Sequence, residues 1–394
     1  MNIQTSSHRT ELELLLLCAR LTVDPRSEAR LKLLLRTDLD WDFFTVAANH
    51  HRVLPLVTRT LERVQPDGVP DATRQLLRNA LYANARRNLR LTNELLQIID
   101  LLRAENISCI PYKGPVLAAQ IYGDISLRQF GDLDVIVPAK DVTKARTLLT
   151  ARGYRCTKES EKDITLRRDE AEIELELHWG VTDVRNPLDP LQVPSELVWT
   201  DLRQFSLAGR LLLTQSYEKL LLIQCIHGTK HRWEKLGWLC DVAEIVRSQP
   251  SLNWHSVIEL GTSLGAKKAL FVGVALCDDL LGATPPSAIV RTMLKEPSLP
   301  SLRDQVERWL FCERPIPPGE HEQFFVRLQE RPADRIRVAY KHAKRGLALN
   351  SHDTESFRGS GFLAWTMYPR RIIRLVREYG ITPFTRFLGG LFQS

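Results

Sequence analysis

The residues best suited to chemistry lie between positions 111 and 138, in the segment PYKGPVLAAQIYGDISLRQFGDLDVIVP. Its centre is Asp132-Leu133-Asp134, which runs into the apolar triplet Val135-Ile136-Val137. In an extended strand, residues two apart point the same way. Asp132 and Asp134 are therefore expected on one face at the strand's start, with Leu133 and Val135 turned to the core. Two carboxylates so placed suit a hard divalent cation, which prefers oxygen ligands and, as Mg²⁺, is usually met beside phosphate. An Asp-x-Asp pair is also common on solvated strands, so its neighbours decide.

Upstream, Lys113-Gly114-Pro115 falls between a short β-like stretch and a helical one. Glycine lets a backbone come close to a phosphate, a helix N-terminus offers unpaired N–H groups to it, and Lys113 adds a point charge. The plain alternative is an ordinary strand-to-helix turn with a surface lysine. Arg128, four residues ahead of Asp132, can meet that carboxylate or a phosphate. Downstream, residues 171–179 read Ala-Glu-Ile-Glu-Leu-Glu-Leu-His-Trp. Ile173, Leu175 and Leu177 take one face of a strand; Glu172, Glu174, Glu176 and His178 take the other. A half-buried strand with a wet acidic face explains this pattern, and suits Glu172. Beside the Asp-x-Asp strand, however, one such Glu supplies a third carboxylate. Three carboxylates held together repel unless a cation joins them.

The elements that must position these residues change character along the chain. Residues 1–105 read as helical, with apolar patterns over 11–21, 25–35 and 41–50 and a stretch free of proline and glycine from 71 to 105. There Leu77, Leu81, Leu91, Leu95, Ile98 and Leu102 follow steps of three and four, and Asn84 and Asn88 interrupt the same line. Strand candidates then alternate with helices. They are a strand over 107–110, a helix over 114–122, a strand over 133–137, a helix over 139–152, and strands over 154–157, 164–168 and 172–179. A proline-bearing loop follows at 186–194. From 214 the pattern is helical again, over 216–227, 236–247 and 266–281, with a proline-rich connector at 314–319 and a basic amphipathic tail at 367–379. The expected plan is an N-terminal helical region (1–105), a sheet-bearing core (106–200) and a C-terminal helical region (201–394).

Composition narrows the class. The 394 residues are 44% hydrophobic and 26% charged, ordinary globular values that exclude wholesale disorder. The longest apolar run, 269–277, contains a glycine and falls well short of the roughly twenty residues of a spanning helix. The start, MNIQTSSHRTELELLLL, carries charges around its apolar stretch with no small-residue cleavage site after it, and does not read as a secretory signal. Seven scattered cysteines without a Cys-x-x-Cys read as reduced thiols of a cytoplasmic protein. A net charge of +7 admits nucleotides, phosphates or nucleic acid without demanding any of them. Beyond scattered arginines there is no RNA-binding signature.

Together, Lys113-Gly114, a helix, Arg128 ahead of Asp132-x-Asp134, and Glu176 two residues before His178-Trp179 resemble the bacterial uncharacterised nucleotidyltransferase family of the polymerase-β-like nucleotidyltransferase superfamily. A second block, residues 225–233 and 236–241, resembles that family's His-x-x-x-His and Trp-x-x-Asp segments; residues 368–380 resemble its end. The chain departs from the wider superfamily in having Lys-Gly where Gly-Ser is usual and Glu as the third acid.

The resemblance implies an α+β fold, with a small mixed β-sheet nucleotidyltransferase core between N-terminal and C-terminal helical regions. It implies Mg²⁺ (or Mn²⁺) on Asp132, Asp134 and Glu176, with Glu174 the competing third ligand. The second substrate is an NTP, ATP by default, its phosphates on Lys113, Gly114 and Arg128. A nucleoside monophosphate passes to a hydroxyl or phosphate of an acceptor and pyrophosphate leaves, with Glu176 or Asp241 taking the hydroxyl proton. His178, His227 and His231 are expected on the acceptor side. His227 and His231 also admit a zinc site with Cys225 or Cys240, or a structural His–Trp cluster. The acceptor (small molecule, natural product or protein) and the oligomeric state are not readable. The alternative is a catalytically inactive protein of the same fold that binds a nucleotide or a partner.

Overall fold

Short apolar repeats at the start of the chain fold into four helices, α1 (Arg9–Cys18), α2 (Pro25–Leu34), α3 (Trp41–His50) and α4 (Leu54–Val64), in a computed structural model that describes residues 7–64, 66–181, 193–312, 316–317 and 319–347. Asp24 and Asp40 cap α2 and α3 by accepting backbone N–H bonds, which satisfies donors that have no partner inside a helix. The stretch free of proline and glycine becomes one 34-residue helix, α5 (Asp71–Ala104). The expected loop at 186–194 and connector at 314–319 lie partly outside the described residues, and the tail at 367–380 wholly outside them.

After α5 come β1 (Ile110–Pro111), α6 (Gly114–Tyr122), β2 (Asp132–Ile136), α7 (Val142–Ala151), β3 (Arg155–Glu159), β4 (Asp163–Arg168) and β5 (Ile173–His178). The five strands form one sheet in the order β1-β2-β5-β4-β3, mixed because β2 and β5 run parallel while the other neighbours are antiparallel. A separate antiparallel hairpin, β6 (Leu202–Leu207) with β7 (Arg210–Gln215), has no counterpart in the sequence reading. Its turn uses Ala208 and Gly209, both at positive φ. The usual hairpin signal is Asn-Gly or Asp-Gly, and an alanine there hides it. The remaining helices are α8 (Tyr217–Lys230), α9 (Leu236–Ser248), α10 (Trp254–Ser263), α11 (Lys267–Leu281), α12 (Ser287–Met293), α13 (Leu299–Leu310), α14 (Glu320–Leu328) and α15 (Pro332–Leu347). The fold is α+β, as expected, and no described helix is long and apolar enough to cross a membrane.

Two large cores meet along α5 and α6. Leu77 of α5 belongs to a helical core with α1–α4, α8 and α9, whereas Leu91, Leu95, Ile98 and Leu102 pack with Leu133, Val135, Leu175 and Leu177 of the sheet. α6 gives Leu117 and Ile121 to the first and Val116 and Ala118 to the second. The two asparagines that interrupt the α5 seam face the loop ahead of β2. Asn84 Nδ2 donates to Ser126 O (2.8 Å), and Asn88 Nδ2 donates to Ile125 O (2.6 Å) and Arg128 O (2.8 Å). The polar break thus ties the chain just before Asp132. Asn88 is fully buried, so Asn88→Ala strands Ile125 O, leaves Arg128 O with only the longer Asn84 bond (3.3 Å), and is expected to cost about 1–3 kcal/mol in urea unfolding. An unchanged urea midpoint would show that the loop is not held from α5.

Candidate active site

Strand pairing sets the geometry. In the parallel β2–β5 pair, Asp132 lies opposite Glu174 and Asp134 opposite Glu176. Adjacent strands run about 4.8 Å apart, so acids on the same face converge. Leu133, Val135, Leu175 and Leu177 fill the core beneath. The ligand atoms brought within 4.8 Å of one another are those of Asp134, Glu176 and His178. This tight group overlaps the expected trio of Asp132, Asp134 and Glu176 without matching it. Asp132 sits beside the tight group rather than in it, and His178, expected on the acceptor side, belongs to the acid cluster. Its place two residues after Glu176 on the same strand was the signal for this.

His178 Nε2 lies 3.2 Å from both Asp134 Oδ1 and Glu176 Oε2, and Lys113 Nζ lies 3.3 Å from the same Asp134 oxygen. Facing only carboxylate oxygens, Nε2 carries the proton. Burial alone would raise the Asp134 carboxyl, but the Lys113 ammonium and the His178 ring overcome it and hold that group far below the usual carboxylate range. Glu176 is also held low, chiefly by its hydrogen bond from His178. Asp132 goes the other way: burial, then the Asp134 charge, pushes it up. The donor set fits a hard divalent cation, since the Asp134 and Glu176 carboxylates converge with Asp132 beside them and left short of positive charge, while the His178 Nε2–H holds the first two in place. Among the described residues no comparable group includes His227, His231, Cys225 or Cys240, so the zinc reading finds no support.

The glycine turn is placed as expected, directly at the start of α6. Gly114 has φ +54°, and a Cβ there would meet Asp132 O at 3.4 Å. The turn and the acid strand therefore lie back to back, and a side chain at 114 would strain the backbone. Arg128 lines the same cleft. Its Nε and Nη2, however, donate to Asp241 of α9 at 2.9–3.1 Å, and Nη1 takes part in none of these bonds. Asp241 is 1% exposed and also accepts from Tyr122 Oη (2.9 Å). It does not line the cleft that holds the acids. The expected role of Asp241 as a base is therefore corrected: its carboxylate is spent on fastening α9 to Arg128 and α6. Nothing in the local sequence marks Tyr122 or this pairing.

Asp132, Asp134, Glu176 and His178 open into a cleft of about 670 Å³. His227 and His231 line it too, one helical turn apart, with ring centroids 4.6 Å apart and with Trp238 at 5.4 and 5.1 Å. α8 runs unbroken through Gly228, and Trp233 occupies the space a side chain there would need. Burial pushes His227 well down and His231 to about 4; buried His51 falls to about 3. Unfolded histidine titrates near 6.5. Below that value the unfolded chain takes up protons that these folded rings refuse, so stability falls with falling pH. His178 has the opposite sign. Burial lowers it but Asp134 and Glu176 raise it further, so it adds stability below pH 6.5 that is lost as pH rises through its folded value. The urea midpoint is expected to be lower at pH 5 than at pH 7, with His51 and His231 each contributing about 1–2 kcal/mol and His178 offsetting part of the fall. A flat midpoint across this range would mean that the rings titrate normally in the fold.

The family model described as "uncharacterised nucleotidyltransferase" matches residues 37–282, from α2–α3 through α11. No curated protein matches the chain. Among solved structures, a solution structure of the antibiotic-resistance factor ANT(2'')-Ia is 15% identical, covering 53% of this chain and 96% of its own, with a TM-score of 0.27. A crystal structure of ANT(2'')-Ia in complex with adenylyl-2''-tobramycin is also 15% identical, covering 47% and 95%, with a TM-score of 0.28.

Proposed function

The chain belongs to the uncharacterised nucleotidyltransferase family, and on that premise we propose that it moves a nucleoside monophosphate from an NTP, ATP by default, to a hydroxyl of an acceptor with the help of Mg²⁺ or Mn²⁺. The observation that carries this reading is the convergence of Asp134, Glu176 and His178, with Asp132 beside them, next to the Gly114 turn in one cleft.

Asp134, Glu176 and Asp132 are the groups that would hold the ion, with the His178 Nε2–H orienting the first two, and the ion would supply positive charge where the triphosphate and the attacking oxygen are most negative. The chain's own residues bind and orient. The N–H groups at the start of α6 take the β- and γ-phosphates, Lys113 adds its charge, and Arg128 reaches them through Nη1. The acceptor oxygen bonds to the α-phosphorus while the bridging P–O bond to the β-phosphate breaks, and pyrophosphate leaves with that electron pair. Glu176, ionised at neutral pH and 31% exposed, takes the hydroxyl proton. His227 and His231, held neutral, offer hydrogen bonds from α8 in the same cleft.

The test is thermal stabilisation of the full chain by a non-hydrolysable ATP analogue. The expected result is a rise in Tm with Mg²⁺ or Mn²⁺ and none with chelator. Equal stabilisation with and without the ion would favour the inactive nucleotide-binding reading, and no stabilisation under either condition would remove the nucleotide from the proposal.

A further inference from the structure

We propose that the acceptor is itself an anion, a hydroxyl compound that carries a phosphate or carboxylate, and that Lys158 receives this group. The inference rests on the nucleotidyl-transfer reading above and names the substrate class of that same site.

Sheet order gives the direction of approach. The Gly114 turn follows β1, on one side of Asp132 and Asp134; Glu176 stands on β5, on the other. In an in-line displacement the attacking oxygen comes from the side opposite the leaving pyrophosphate. With the triphosphate over the Gly114 turn, the acceptor must pass Glu176 and lie over β4 and β3. The end of β3 and the start of β4 carry Lys158, Ser160 and Lys162, all lining the same cleft. Lys230, at the end of α8, lines it as well.

Charge decides the acceptor's chemistry. The described lining has four carboxylates. Three of them, Asp132, Asp134 and Glu176, form the proposed ion site. The fourth, Asp163, is already bound by Ser160 Oγ at 2.6 Å and Lys162 Nζ at 3.2 Å. Among the described lining residues no carboxylate remains to meet a cationic acceptor. Lys158 is exposed, and His231 beside this wall is held neutral, so it neither adds to nor cancels the lysine charge. A wall on which the described lysines outnumber one acid, itself already paired, attracts an anion and repels a polyamine.

The experiment is calorimetric titration of the full chain, saturated with Mg²⁺ and a non-hydrolysable ATP analogue, at one fixed ionic strength. Glucose 6-phosphate, glucose and tobramycin serve as anionic, neutral and polycationic hydroxyl probes. The expected result is binding of glucose 6-phosphate at least tenfold tighter than glucose, with no binding of tobramycin. Lys158→Glu weakens the sugar phosphate about tenfold, as loss of a charge-assisted contact does, while the nucleotide analogue keeps its affinity within about twofold. Lys140→Glu, on an exposed turn away from the cleft, changes neither. Tobramycin binding tighter than glucose 6-phosphate, no binding of the sugar phosphate, or binding indifferent to Lys158→Glu would each overturn the proposal. Failure of the nucleotide analogue to bind with Mg²⁺ would instead overturn the transfer reading beneath it.

Discussion

Asp134→Asn is expected to lower nucleotidyl transfer by about a thousandfold, equivalent to about 4 kcal/mol in the barrier. The substitution keeps the size of the side chain and removes only its charge. That charge lies at the centre of the site. Asp134 is 3% exposed, pairs with Lys113 and His178 through one oxygen, and lies opposite Glu176 across the parallel strands. No other carboxylate can replace it, because Asp132 sits one strand step away. Glu176→Gln is expected to lose nearly as much. Glu174→Gln, opposite Asp132 and outside the tight group, should lose far less. Label transferred from α-phosphate-labelled ATP measures all three, with circular dichroism to confirm that each variant is folded. A folded Asp134→Asn that transfers at the natural rate would remove the acid cluster from the mechanism.

The second large effect is on stability. Arg128→Ala leaves the Asp241 carboxylate charged and buried with only Tyr122 Oη as a neutral donor. Breaking a buried ion pair from one side costs about 3–5 kcal/mol. Urea unfolding should show that loss, and Asp241→Ala should show a comparable one. The double variant Arg128→Met, Asp241→Leu should recover most of it, since an apolar pair of similar volume leaves no stranded charge. If the single variants unfold at the natural urea concentration, the pair is not the link between α9 and the loop before β2. Recovery of stability in the double variant without recovery of transfer would separate the two duties of Arg128, which lines the cleft while it holds α9.

Period-two alternation made much of the site readable along the chain. It put Asp132 with Asp134, and Glu174 with Glu176 and His178, because the direction of a strand side chain depends only on its own backbone. The glycine before α6 and the long uninterrupted run of α5 were readable for the same reason, being local consequences of backbone freedom and helix propensity. Asn84 and Asn88 show the limit. They were visible as a break in an apolar line, but the carbonyls they bind lie about forty residues further on.

Residue pattern alone settled which groups share a strand face, where the glycine turn falls, and that helices flank a small sheet. Packing between distant segments chose Asp241 as the partner of Arg128, 113 residues away, drew His178 into the acid cluster, and brought lysines to the cleft that holds it. The division follows from the forces involved. Torsional preference acts between neighbours in the chain, whereas a charge selects its partner by distance in space, and that distance exists only once the two cores have closed on α5 and α6.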